Sequence, residues 1–274
     1  MMSTHAPIPF ARRDSRRGLF WLRRAYQMFR AAPLPWLLLL FTYYAMAALA
    51  ELGPWTAVGK LAASVLKPVF AVGFLAAAWS QDRGGTPRLA DLFRGFRSDL
   101  WALIALGVVF VAGMSLAFTA TTLIDDGALL GMLSGSREPS DELLDSGRIQ
   151  LAMLFGALCA LPTLLALWFA PALVVFSDAG ALTALATSLR ASLANWRPVA
   201  VFGLLVVFYG GFVPALILTV ARLLGPGIAT IVGVALVLPY LFAFLATFQI
   251  ADYVAYRDVF HADVPLQEDP AQAG

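Results

Sequence analysis

Lys67 carries the most chemistry of any single residue in this chain. It stands inside a long apolar run, "SVLKPVFAVGFLAAAW". An ionisable group within a membrane span marks a functional position by default. A lysine there can hold an anionic substrate or a lipid headgroup, and Pro68 loosens the helix beside it. A structural reading competes with this one. Counting back from Ser80 puts Lys67 roughly 20 Å from the inner boundary of the bilayer. In a hydrocarbon core ~30 Å thick, its ammonium can then snorkel to the outer interface. No acid is an evident partner, because Glu51 and Asp252 fall near opposite span ends.

The other reactive side chains form no recognisable constellation. His5 and His261 lie in polar tails, with no nucleophile or metal-ligand set beside them. Cys159 sits in an apolar run, where packing is its expected role, and there is no C-x-x-C. That excludes a zinc site built on clustered His and Cys. The chain has no G-x-S-x-G, no Walker A loop and no H-E-x-x-H. No enzyme activity and no cofactor or metal are expected. The segment 125–148, "DDGALLGMLSGSREPSDELLDSGR", is acidic but lacks calcium-loop spacing. It is expected to be a solvated loop containing a short helix capped by Ser140. Pro68, Pro162, Pro171, Pro214 and Pro239 fall inside apolar runs, and "YGGFVP" pairs glycines with a proline. Such breaks build substrate sites in transporters. They also serve as plain packing kinks.

These residues are positioned by a membrane scaffold. Hydrophobic residues make up 60% of the 274 and charged residues 13%, which leaves too little polar surface to wet a soluble domain. Six runs approach the ~20 residues needed to cross a bilayer, near 34–52, 57–79, 99–124, 149–177, 198–222 and 227–253. The second is the weakest, because Lys60 and Lys67 interrupt it. Fourteen Lys and Arg flank one side of this arrangement: seven before the first run, four in 80–98, two in 178–197, and Arg257. The alternate loops hold four, Lys60, Arg137, Arg148 and Arg222. By the positive-inside rule, both termini are expected in the cytoplasm of a bacterial cell.

The basic segments are themselves patterned. "SRRGLF" resembles a twin-arginine export signal, but Arg23, Arg24 and Arg30 intervene before the apolar run. On a helical wheel Arg16, Arg17, Arg23, Arg24 and Arg30 share one arc, opposite Leu19, Trp21, Leu22, Ala25, Tyr26, Met28 and Phe29. Residues 15–31 are therefore expected to form a retained interfacial helix, its arginines drawn to anionic phospholipid headgroups. Two further short helices are predicted before the third and fifth spans. One presents Leu89, Leu92, Phe93 and Phe96 and ends at Arg94 and Arg97. The other presents Leu182, Leu185, Leu189 and Leu193, with Arg190 on it and Arg197 after it. The plan is threefold: an interfacial helix, a span out and a span back. The single transmembrane domain is expected at 15–256, between a disordered tail at 1–14 and a flexible tail at 257–274.

The stretches "YQMFRAAPLPWLLL", "KPVFAVGFLAAAWSQDRGGTPRLADLFRGFR" and "FAPALVVFSDAGALTALATSLRASLANWRPVAVFGLL" resemble an uncharacterised family of small polytopic inner-membrane proteins of proteobacteria. The likeness covers most of residues 20–250. The plan is also distantly similar to the membrane domain fused to some glycerophosphodiester phosphodiesterases, whose catalytic domain is missing here. The resemblance implies an all-α, six-span bundle in the inner membrane and implies no activity. The expected role is non-catalytic, organising lipid or partner proteins. The alternative is a small transporter or channel with a kinked interior near Lys67. Bilayer lipid is the expected partner and nucleic acid is not, while the sequence does not decide between a protein partner and a homo-oligomer.

Overall fold

A chain in lipid must satisfy its backbone polar groups internally, and long apolar runs do so as helices. The computed structural model describes residues 8–50, 52, 56–134, 136 and 147–261, and within them the fold is all-α. In chain order the helices are α1 (Arg16–Ala31), α2 (Pro33–Ala50), α3 (Thr56–Val65), α4 (Lys67–Asp82), a 3-10 helix (Leu89–Arg97), α5 (Leu100–Asp125), α6 (Ala128–Ser134), α7 (Arg148–Trp168), α8 (Ala170–Phe176), α9 (Ala181–Ala194), α10 (Trp196–Leu223) and α11 (Pro226–Phe260). By length and composition α2, α5, α7 with α8, α10 and α11 can each cross a bilayer. The sixth candidate is α3 with α4, bent by 47° at their junction. The break falls at Leu66, directly before Lys67 and Pro68, in the span where charge interrupts the apolar run. Large apolar side chains such as Leu123, Leu204, Leu223 and Ile231 stand exposed on the bundle's outer surface, as a lipid-facing wall requires.

Two prolines further along sit behind widened turns in helices that stay continuous. A π-turn at Phe208–Phe212 precedes Pro214, and another at Gly233–Val237 precedes Pro239. Proline lacks an N–H and its ring presses on the carbonyl four residues back, so a widened turn there relieves the clash. The Tyr209 carbonyl, inside the first π-turn, accepts a hydrogen bond from the Tyr240 hydroxyl at 2.6 Å.

The short helices pack in a cycle. The 3-10 helix lies on α4, α9 on α7, and α1 on α11. Each thus sits on a returning span, and the first helix of the chain sits on the last. Close approach is made by small residues. A Cβ on Gly95 would collide with the Val69 carbonyl, and one on Gly18 with the Pro198 carbonyl. On α9 the Ser188 hydroxyl is inserted into the backbone ladder of the α7–α8 junction. It accepts from the Phe169 N–H at 3.0 Å and donates to the Leu165 carbonyl at 2.9 Å. Ser192 donates to the same carbonyl at 3.2 Å.

The short helices turn small residues to the protein and greasy ones outward, and the tails differ from expectation. On α9 the buried face is Ala184, Thr187, Ser188, Ala191 and Ser192, whereas Leu182 and Leu193 are exposed. Between 89 and 97 the helix is 3-10, burying Asp91, Leu92 and Gly95 and exposing Leu89, Phe93 and Phe96. In both cases lipid is as apolar as leucine, so burial in protein goes to the residues that permit close packing. The tails are also shorter than expected. Residues from Ile8 pack against the core, the Ala11 N–H donates to the Val259 carbonyl at 2.8 Å, and helix continues through Phe260. Residues 137–146, which hold the expected Ser140-capped helix, lie outside the described residues. On their near side Asp125 caps α6, accepting from Gly127 N–H at 3.0 Å and Leu129 N–H at 2.7 Å.

Gly18→Val should force α1 away from α10 and destabilise the fold by about 1–3 kcal/mol. Gly203→Ala, whose added methyl meets nothing within 4 Å, should leave thermal unfolding in detergent unchanged. Equal melting temperatures for the two variants would refute the close-approach role.

Candidate functional site

Two buried carboxylates gather the end of the bundle that carries both termini. Asp258, on the last turn of α11, is 3% exposed. It is ion-paired with Arg17, whose Nε also donates to Oδ2 at 2.9 Å. The Trp21 indole N–H donates to the same oxygen at 2.8 Å. Arg13 lies 3.3 Å from Oδ1 and donates twice to the Asp258 backbone carbonyl, at 2.9 and 2.6 Å. Asn195 fixes the strap that brings Arg13 in, accepting from the Arg13 backbone N–H at 2.7 Å and donating to the Ala11 carbonyl at 3.0 Å. The second carboxylate, Asp82, ends α4. It pairs with Arg257, accepts from the Tyr253 hydroxyl at 2.9 Å and has Arg24 at 3.8 Å. Beside it Gln81 accepts from the Trp36 indole at 2.7 Å and donates to the Met28 carbonyl at 2.7 Å, occupying an open acceptor on the last turn of α1.

The nine arginines expected to meet headgroups therefore divide. Arg17 and Arg24 serve the buried acids. Arg94 pairs with Asp91 of its own helix at 2.9 Å. Arg16, Arg23, Arg30, Arg190 and Arg197 are exposed, as is Arg97. Arg197 lies over the Trp196 ring and Arg30 over the Tyr26 ring.

Lys67 opens onto a cavity of about 380 Å³ among α4, α5, α7, α10 and α11. The walls are apolar, made by residues such as Phe110, Leu164, Phe202 and Phe248, and Asp252 lines the same space. The Lys67 ammonium lies 4.6 Å from the centre of the Phe110 ring, and no carboxylate lies within 4.0 Å of it among the described residues. Asp252 accepts from the Trp168 indole at 2.8 Å. Asp82 touches Tyr253, which puts Asp252 nearly level with it, while Lys67 begins the same helix fifteen residues earlier. At 1.5 Å per residue the two charges are roughly 20 Å apart along the bundle. From the sequence, Asp252 is no evident partner of Lys67, because it and Glu51 fall near opposite span ends. The structure instead makes it the far pole of the Lys67 cavity. Glu51 lies outside the described residues. Leu164, Gly203 and Lys67 are exposed, so the cavity is a groove open on one side.

A probable inner membrane protein of Burkholderia thailandensis is 30% identical over 198 residues, spanning 70% of this chain and 73% of the relative. The chain belongs to that inner-membrane protein family. No family model matches it, and no solved structure does. The likeness to the membrane domain of glycerophosphodiester phosphodiesterases finds no support in either comparison.

Within this inner-membrane fold, the residues missed by sequence reasoning are Asp82, Asp258, Asn195 and Asp252. One signal was available. Asp82 and Asp258 are acids at the basic end, where a carboxylate needs an arginine partner to be buried. Among the described residues no group of three His, Cys, Asp or Glu could hold a metal ion. His261 stands 3.2 Å from the Tyr256 hydroxyl. Partial burial, then the charge of Arg257, holds its pKa below the usual histidine value.

Asp258→Ala would strand Arg17 and Arg13 over a desolvated pocket. Removing one partner of a buried pair costs on the order of 3 kcal/mol. The variant should melt well below the native protein in detergent, with Asp258→Asn in between because the Trp21 hydrogen bond survives. Unchanged melting in Asp258→Ala would refute the pairing.

Proposed function

We propose that this protein is a non-catalytic inner-membrane protein that holds one lipid-like amphiphile in the groove between Lys67 and Asp252. One observation supports the reading: a long apolar groove, open on one side, with a cation at one pole that no carboxylate of the described residues neutralises. A charge at membrane depth is costly without a counter-charge. The Phe110 ring offsets only about 0.5–2 kcal/mol of that cost. An anionic headgroup against Lys67 completes the compensation, and its chain fills the apolar walls. A water-filled path for a polar solute would need a more polar lining than this one. Both termini are taken to face the cytoplasm, on the strength of the fourteen-to-four arginine and lysine asymmetry.

A second reading, transport of the same amphiphile, is favoured by the 47° break next to Lys67, which gives that span a hinge. Native mass spectrometry of the purified chain should show an anionic amphiphile that survives delipidation. Lys67→Ala should lose it about tenfold, with melting unchanged. Retention equal to the native protein would sink the binding reading. Flux of that amphiphile in liposomes, abolished by Lys67→Ala, would select transport over storage.

Orientation is checked separately. A fluorescent-protein fusion after residue 262 should be bright, and an alkaline phosphatase inserted at 136 should be active. The reverse pattern would overturn the assignment.

A further inference from the structure

The interfacial helix α1 and the last span enclose a second crevice, of about 490 Å³. Arg23 and Tyr26 of α1 line one part of it, with Leu22 behind them. The wall on α11 runs from Tyr240 through Ala243 and Phe244 to Thr247. Eight residues of helix make that wall about 10 Å long. Its volume lies within the ~300–1,000 Å³ of ordinary ligand sites. The polar groups at its deep end are already committed, since the Tyr240 hydroxyl donates to the Tyr209 carbonyl.

The charge at the crevice is one-sided. Arg17 and Arg24, on another side of the same helix, are spent on Asp258 and Asp82. Arg23 is exposed and has no carboxylate within 4.0 Å among the described residues. Arg30 lies 5.9 Å from the centre of the Tyr26 ring and adds a second positive charge on the same helix. From Arg16 to Ala31, α1 has no acid at all. A cation-lined mouth on an interfacial helix, leading to an apolar slot along a span, complements a molecule with an anionic head and a hydrocarbon tail.

We infer that this crevice is a binding site for one anionic phospholipid of the leaflet at the basic end, its phosphate on Arg23 and one acyl chain along Ala243 and Phe244. Arg17, Arg24 and Gln81 fix the position of α1 internally, and Arg23 reads the lipid. The site is separate from the Lys67 groove and does not rest on its occupancy.

The test uses the full chain in nanodiscs of mixed phosphatidylglycerol and phosphatidylcholine, with the co-released lipid counted by native mass spectrometry. The native protein should retain phosphatidylglycerol in preference to phosphatidylcholine. Arg23→Ala should cut retained phosphatidylglycerol about tenfold, and Arg23→Lys should keep most of it. Ala243→Leu fills the slot and leaves every charge in place, so it should also lose the lipid. Each arm is repeated in a Lys67→Ala background, which removes the groove's own anionic amphiphile from the count and separates the two sites. Equal retention of the two lipids by the native protein overturns the inference, as does native-level retention in Ala243→Leu. If Arg23→Ala fails to fold, the Ala243→Leu arm decides alone.

Discussion

The carboxylate of Asp258 is taken out of water at the arginine-rich rim of the bundle, and most of the architecture follows from what it then requires. A desolvated carboxylate needs cations and donors around it. Arg17, Arg13 and the Trp21 indole supply them, and all three belong to the beginning of the chain. Their convergence pulls α1 down onto α11 and carries residues 11–13 across the end of α9. Asp82 repeats the demand on α4, drawing in Arg24 and Arg257. The two acids thereby tie α1 at two points along its length. Its apolar face, Trp21, Ala25 and Met28, is buried in protein and does not lie on lipid.

This anchoring explains how the bundle can be loose elsewhere. The largest fully buried side chains, including Trp21, Trp36, Phe169, Tyr253 and Tyr256, concentrate at the anchored end. Away from that end the spans carry bent and widened segments: the break at Leu66 and the π-turns before Pro214 and Pro239. A groove such as the one at Lys67 requires walls that are not fully packed together. Here the tight half supplies the free energy that keeps the open half folded, a common arrangement for binding proteins.

Much of the fold was legible from the runs themselves. Run length fixes the spans, since only helices satisfy their own backbone in hydrocarbon. The interruption by Lys67 marked where the second span would break. The greasy stripes of the short helices were legible, whereas the faces that pack on protein were not, because amphipathicity in water assigns the greasy side to the core. In a bilayer that rule loses its force, and α9 turns its serines and alanines inward while Leu182 faces out. The site was legible only in its cation. Asp252 lies 185 positions after Lys67, and nothing local to either residue reports that they share a cavity. The same holds for Trp21, whose aromatic character suggested a headgroup anchor and whose indole N–H instead meets Asp258.

The Arg17–Asp258 contact joins positions 241 apart in sequence, so it cannot form until the final span exists. At ribosomal rates of roughly 5–20 residues per second, α1 waits on the order of ten to fifty seconds after its own synthesis. Throughout that interval α1 lacks α11, and the bilayer surface is the available shelter for the part of its aromatic face that α11 will cover. The membrane thus acts as a temporary holder for the opening segment, and completion of the C-terminus is the event that releases it into the ring.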